Sequence, residues 1–404
     1  MRVPVAVTGI GIVSSIGIGR DAFWSALREG RSGIAPIEGL ARASGLPRVT
    51  AAVRDFAAKE LITSQQFRRM DRLSRMAVAA SRLALTDAGI APDALPGERV
   101  GVVFGTALGD IEDSMDHLQR IFTRGPAAAS PMVFPNLVMN AAAGYVAMEF
   151  GFTGVNLTLA QAEVSGEHAV AQGCDVVRSG RADVVLAGGG DQVTPILVEG
   201  YHRARALAGQ RGGREWASPY DTGRTGIVLG EGTAILVLES VARARARGAT
   251  IYATIDGARS FSVDAPRYDW PARADAALPA LQTLLDGEAV DLLVGGANSS
   301  RRLDRCELAL FARLLAAPAA DVGVTSIKGA IGEFGAAGAL TVAAACLALR
   351  EQTIPPLCNL RSPEPDAPFR FCAPRGVPAR LRRALVCGLA RGGSGVALSL
   401  RVSS

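Results

Sequence analysis

The residues with the most chemical potential lie between Gly154 and Asp191 (GVNLTLAQAEVSGEHAVAQGCDVVRSGRADVVLAGGGD). An apolar run, Val155 to Ala160, meets a sharp break at Gln161–Ala162–Glu163. A helical pattern follows to about Arg178, and Ala182–Ala187 reads as a buried strand ahead of three glycines. A strand that turns abruptly into a helix holds one side chain at the first helical turn. There, unpaired N–H groups and the helix dipole favour negative charge and activate a thiol. A nucleophilic Cys or Ser is the expected occupant, and Glu163 is what stands there. Ser165 and His168 follow within the same helix, and both are assigned to packing, His168 as a satisfied core histidine.

A second candidate is Lys328, one of only two lysines (with Lys59) among 43 basic residues, set in the glycine turn KGAIG. Six cysteines (174, 306, 346, 358, 372 and 387) show no CxxC spacing and there are three histidines, so no metal site is expected and reduced thiols in the cytoplasm are. The net charge of +5 comes without a like-charge run, which argues against nucleic acid. The Arg-rich stretch from His202 to Arg214 reads as a solvated loop, with contact to an acidic partner as the alternative. The longest apolar run, Phe334 to Leu349, is shorter than the roughly 20 residues that cross a bilayer, so no membrane span is expected. VPVAVTGIGIV reads as a first buried strand rather than a leader, and TGIGIVSSIG falls short of a dinucleotide fingerprint. No cofactor is expected.

The elements that must position these residues alternate. Asp21 to Arg28 is a short helix, and Phe67 to Ala88 is a strong helix by its 3–4 apolar spacing. Val100 to Thr106 is a buried strand, and Asp110 to Thr123 is a helix with Ile111, Met115, Leu118 and Phe122 on one face. Met139 to Phe150 is a small-residue helix, and Ser218 to Glu239 holds a glycine turn and an apolar strand. The second half repeats the grammar: Asp291–Gly296 a strand, Leu303–Leu315 a helix, Val322–Gly338 a strand and glycine turn entering a helix to Leu349. Leu385–Leu389 is a strand into Arg391–Gly392–Gly393–Ser394–Gly395, and Val396–Val402 closes the chain. Two similar α/β halves follow, 1–245 and 246–404.

With these segments placed, TGIGIVSSIG, MDRLSRMAVAASRLALTDAG, the elbow, YDTGRTGIVLGEGTA and the closing glycine loop together resemble a β-ketoacyl synthase of the thiolase superfamily. The resemblance implies a thiolase-like fold, five-layered αβαβα, and an obligate dimer pairing through Asn156 to Leu159. It also implies an acyl-accepting Cys at the place of Glu163 and two His that polarise a malonyl carbonyl. Counted from Asp304, GANSS stands for HGTST and puts Gly296 at the first His. After KxxxG, Glu333 stands at the second, in a turn one residue shorter. All three groups are missing, so no catalytic residue is assigned; a carboxylate attacking a thioester would give a high-energy anhydride. Lys328 and Glu307 match a buried ion pair of the family. A gating Phe is replaced by Arg391, expected to bond one or both carboxylates and plug the site, or otherwise to face solvent.

A condensing-enzyme subunit without its nucleophile resembles the chain-length factor of type II polyketide synthases. Such a subunit pairs with an active ketosynthase, meets the acyl carrier protein through that complex, and walls the tunnel that sets product length. Carried over, the tunnel residues are Ile111, Ser114, Met115, Leu118 and Phe134, with core packing the competing role for Ile111 and Leu118. Glu rather than Gln at the elbow favours highly reducing, polyene-type pathways over aromatic ones. The alternatives are a free-standing malonyl-carrier-protein decarboxylase or acyltransferase using Glu163, or a scaffold that only stabilises its partner.

Overall fold

The computed structural model describes residues 4–37, 49–63, 65–315, 319–365 and 368–403. In the first half the strands are β1 (Val5–Ser14), β2 (Val100–Gly105), β3 (Asn156–Leu159), β4 (Val184–Asp191) and β5 (Gly232–Ser240). The second half supplies β6 (Ala253–Ser262), β7 (Leu292–Gly295), β8 (Ala319–Thr325), β9 (Phe369–Phe371), β10 (Arg383–Leu389) and β11 (Ser394–Arg401). Their spatial order is β9-β8-β7-β10-β11-β6-β1-β5-β4-β2-β3. Numbered from its own first strand, and setting β9 aside, each half shows the same order, 3-2-4-5-1. The two first strands join the halves, antiparallel, Val5–Val7 against Ala253–Ile255.

The period of two along the strands divides the interior. Val184, Leu186, Val102 and Phe104 enter one outer core with α1 (Arg72–Asp87) and α3 (Ala141–Phe150). Leu293, Leu385 and Cys387 enter the opposite outer core with the helices α6 (Leu278–Leu285) and α7 (Arg301–Leu315). The alternate residues Val103, Val185, Ala187, Leu292, Val294 and Val386 face a central core. That core is filled by α4 (Ser165–Arg178) and α8 (Gly338–Glu351), which completes an αβαβα sandwich. Helix α8 is apolar all round and buried from Gly338 through Leu349, as a central layer requires. The two central helices cross closely at Gly166, whose added Cβ would lie 2.4 Å from the Ala339 amide nitrogen.

Some boundaries move. The expected Phe67–Ala88 helix is a 3₁₀ turn, Gln65–Arg69, followed by α1, because Asp71 caps α1 by accepting from the Ser74 amide at 2.7 Å. The expected loop at His202 begins inside a helix, α5 (Pro195–Arg203), with α2 (Ile111–Arg124) beside it. The glycines after Ala187 continue β4 to Asp191 rather than ending it. The alternating strand β6 and the helix α6 went unread in the sequence. No helix among the described residues is long and apolar enough to cross a membrane.

Candidate active site

The elbow is built where β3, which runs parallel to β2, hands over to α4. Ala162 takes φ 48°, the left-handed region, which a non-glycine residue adopts at a cost. Ser165 holds the bend: its Oγ accepts from the Gln161 amide at 2.9 Å and donates to the Ala162 carbonyl at 2.8 Å. Ser165 is therefore the lock of the turn rather than a packing residue. The result aims Glu163, 7% exposed, toward the glycine loop that follows β10.

Arg391 of that loop meets it. One carboxylate oxygen of Glu163 accepts from Arg391 Nε at 2.7 Å, and the other accepts from the Arg391 backbone N–H at 3.1 Å. The guanidinium also donates to the Tyr201 hydroxyl at 2.8 Å. It lies 4.7 Å from the Tyr201 ring centroid and 5.1 Å from that of Trp270. Charge, hydrogen bonding and two aromatic faces thus fix one side chain. Burial pushes the Tyr201 hydroxyl up to about 12, so it stays a neutral acceptor for Arg391. A backbone N–H aimed at the elbow side chain is the kind of donor that would stabilise an oxyanion, and here a carboxylate already occupies it.

Deeper in, Lys328 Nζ donates to both oxygens of Glu333 at 2.9 Å, and Asn298 Nδ2 donates to the same carboxylate. Burial pulls the Lys328 ammonium down, but the surrounding carboxylates, Glu333 first with Glu167 and Glu163, together leave the pKa raised. Glu307 takes no part, which corrects the expected Lys328–Glu307 pair. Lys328 opens a one-turn helix that ends at Gly332, φ 73°, and this turn swings Glu333 back onto the ammonium. Glu307, on α7, instead accepts from the Tyr220 hydroxyl and from the amides of Gly296 (2.7 Å) and Ala297 (3.1 Å). Burial pushes its carboxyl up to about 7.

A cavity of about 240 Å³ lies behind the elbow, walled by Glu163, Glu333, Asp191 and Tyr201 together with Leu108, Val193, Leu197, Leu229 and Phe334. A separate cleft outside holds Arg205, Arg211, Arg301 and Arg302 with Trp270 and Arg391. Arg391 and the groups it binds therefore stand between an apolar chamber and a basic surface cleft.

The family models for the β-ketoacyl synthase N-terminal and C-terminal domains match residues 2–244 and 246–361. The chain belongs to the β-ketoacyl synthase family. It is 31% identical over 390 residues to 3-oxoacyl-(acyl-carrier-protein) synthase 2 of Synechocystis sp., covering 95% of this chain and 92% of that protein. It is 33% identical over 381 residues to the tetracenomycin polyketide synthase ketoacyl synthase alpha subunit of Streptomyces glaucescens, covering 91% and 89%. Among solved structures, that of the ishigamide ketosynthase/chain length factor superposes with a TM-score of 0.92 at 30% identity, covering all of both chains.

Within this ketosynthase fold Glu163 and Glu333 meet in the wall of one cavity, with Arg391 bonded to the first, while Gly296 is not among the residues that wall it. Gly296 leaves room: a Cβ there would find its nearest neighbour, the Glu307 carboxylate, at 3.6 Å. His168 departs from the expected satisfied core histidine, since its Nε2 is buried without a hydrogen-bond partner among the described residues and burial lowers its pKa. The carried-over tunnel residues lie elsewhere. Met115 and Leu118 line a surface groove on α2 with Phe122 and Ile196, Phe134 is 61% exposed, and Ile111 and Ser114 are half-buried on α2. None of the five walls the cavity at Glu163. Sequence reasoning missed Tyr201, Trp270 and Asn298; for Tyr201 the signal was the aromatic in EGYHRAR, ten residues after β4 ends at Asp191.

Proposed function

We propose that this chain is the non-condensing subunit of a heterodimeric ketosynthase, a chain-length factor that pairs with an active ketosynthase and shapes the tunnel into which a polyketide grows. The observation that carries this reading is the elbow: Glu163 occupies the nucleophile's place, and its carboxylate is taken by the Arg391 guanidinium and backbone N–H. Both of its oxygens are engaged by Arg391. Glu333 is likewise spent on Lys328 and Asn298, so nothing remains at either histidine position to polarise a malonyl carbonyl.

The partner side of the proposal is supported by what the single chain leaves open. Strand β3 is a sheet edge, and Leu108, Met115, Leu118, Phe122, Phe134 and Met148 are large apolar side chains exposed in the segments that precede it. The likeness to the ishigamide ketosynthase/chain length factor and to a polyketide ketosynthase alpha subunit supports the polyketide context. Glu in place of Gln at the elbow inclines the assignment to a highly reducing, polyene-type pathway.

Incubation of the purified chain, alone and with a Cys-containing ketosynthase, on malonyl- and acyl-carrier protein tests this. The expected result is no decarboxylation or condensation by the chain alone and elongation by the pair. Turnover by the chain alone would establish instead a free-standing decarboxylase or acyltransferase. Elongation whose product length ignores Leu118→Ala combined with Phe134→Ala would reduce the subunit to a scaffold.

A further inference from the structure

The Arg-rich stretch from His202 to Arg214 does not act as one patch. Arg203 pairs with Glu199 on α5, and Arg205 and Arg211 face the cleft that also holds Arg391. Arg214 faces a different pocket, of about 520 Å³, together with Trp216 and Arg361. One turn, Asp221 to Thr225, places both of these arginines. The Thr225 hydroxyl donates to the Arg214 carbonyl at 2.8 Å, and the Asp221 carboxylate accepts from the Arg361 backbone N–H at 2.7 Å. The turn is itself anchored by Arg224, 1% exposed, which is ion-paired with Asp304 at 3.3 Å and Glu364 at 2.6 Å. Two backbones are thereby fixed while the guanidinium groups they carry are left over.

Nothing in the pocket wall neutralises those groups. Asp221 is the only carboxylate there, and it is spent on the backbone N–H groups of Gly223 (2.7 Å), Arg361 (2.7 Å) and Ser362 (2.9 Å). Neither Arg214 nor Arg361 has a side-chain acceptor among the described residues. Beside them Trp216 is 43% exposed, whereas Trp24 and Trp270 are buried. Two like charges and an indole therefore share one concave site. A phosphate monoester dianion can accept from both guanidinium forks at once, whereas a carboxylate fills one. A flat ring attached to that phosphate would cover the exposed indole by stacking.

We propose that this pocket binds a phosphate monoester carried on an aromatic base, the chemistry of a nucleotide. The phosphate lies between Arg214 and Arg361, and the base stacks on Trp216. The pocket shares no wall residue with the cavity at Glu163, and the proposal does not rest on the heterodimer reading.

Isothermal titration of the full chain with AMP, inorganic phosphate and adenosine tests this, at low ionic strength and above the second phosphate pKa of about 6. Tryptophan emission is the second readout. AMP is expected to bind saturably, at least about tenfold tighter than either phosphate or adenosine, and to quench emission in the wild type but not in Trp216→Leu. Arg214→Gln and Arg361→Gln should each weaken AMP by about tenfold or more, and Trp216→Leu should bring AMP down to the affinity of phosphate. Arg205→Gln, in the neighbouring cleft, should leave AMP binding unchanged. Loss of AMP binding in Arg205→Gln but not in Arg214→Gln would move the ligand to the cleft at Arg391 and overturn the proposal. Inorganic phosphate binding as tightly as AMP, or a wild-type chain that does not saturate with AMP, would overturn it as well. Should the circular dichroism of Arg214→Gln depart from the wild type, Arg361→Gln and Trp216→Leu decide the matter by themselves.

Discussion

Arg391 is attached to the Glu163 carboxylate, the Tyr201 hydroxyl and two aromatic faces, so truncating it removes more than a charge. It also leaves Glu163 buried without its counter-ion. Arg391→Ala should cost on the order of 2–4 kcal/mol in denaturant unfolding, and Arg391→Lys should recover only part of this because the planar fork is lost. Glu163→Gln in the Arg391→Ala background should return some of the stability, since the pair acts as a unit. Strict additivity of the two changes would mean the contact contributes nothing. Glu167, one turn further along α4, is a different case. Burial pushes its carboxyl up to about 7, and its Oε2 has no hydrogen-bond partner among the described residues. The folded chain therefore holds a proton that the unfolded chain releases near the ordinary carboxylate pKa of about 4.3. Stability is full at acid pH, declines as pH rises through that interval, and levels off above about 7. Glu167→Gln, which cannot ionise, should match the wild-type melting temperature near pH 4, at or below the ordinary carboxylate pKa, and exceed it at pH 8. A difference that stays constant between those pH values would mean that Glu167 does not titrate in this range.

The central helix pair shows the same residue at the scale of elements. A Cβ on Gly338 would fall 1.6 Å from a Glu167 carboxylate oxygen, and one on Gly388 would fall 2.5 Å from the other. The Glu167 side chain thus runs into space that two glycines on α8 and β10 leave empty. Gly338→Ala should destabilise by roughly 1–3 kcal/mol through overpacking, and Glu167→Ala should relieve most of that cost when combined with it. Thermal unfolding of the two singles and the double measures this, and equal penalties in both backgrounds would contradict it. The ion pair beneath the elbow is tested in the same way. A double-mutant cycle on Lys328 and Glu333 should show a coupling of about 1 kcal/mol or more, whereas Lys328 and Glu307 should couple by less than about 0.5 kcal/mol. Loss of folding in Lys328→Met would move the cycle to Glu333→Gln and Asn298→Ala, whose coupling reports the same cluster.

For the whole molecule, the open edge at β3 and the apolar face around α2 predict behaviour in solution. Phe122 is 83% exposed and Met148 is 62% exposed, both more than a soluble surface ordinarily tolerates in large apolar side chains. Sedimentation should show the chain alone self-associating and, on the proposed function, the chain mixed with a Cys-containing ketosynthase as a defined heterodimer. Phe122→Glu should weaken that heterodimer at least tenfold. An isolated chain that stays monomeric at high concentration would count against this face as an interface.

Much of this architecture was legible in order along the chain, because apolar residues repeating every second or every third to fourth position report directly on burial. The continuous apolar runs of β2, β4, β7 and β10 and the all-apolar α8 are local patterns, and local patterns survive without a fold. The positions Glu163, Gly296 and Glu333 were legible through the family resemblance, which aligns each by its spacing from a glycine turn or an acidic anchor, and the expected Arg391 contact with Glu163 came from that same resemblance. The partners of the buried charges were not legible. Glu307 stood as the partner of Lys328 until the turn at Gly332 brought Glu333 within 2.9 Å of its ammonium. Tyr201 and Trp270, which complete the Arg391 cage, arrive from segments 190 and 121 residues away along the chain, by their numbers in the sequence. Sequence by itself therefore determined the elements, their duplication and the presence of a carboxylate, Glu163, at the elbow. Only the tertiary structure decided how the stranded charges are neutralised, because the low dielectric of the core forces each to find a partner and only three-dimensional proximity says which one.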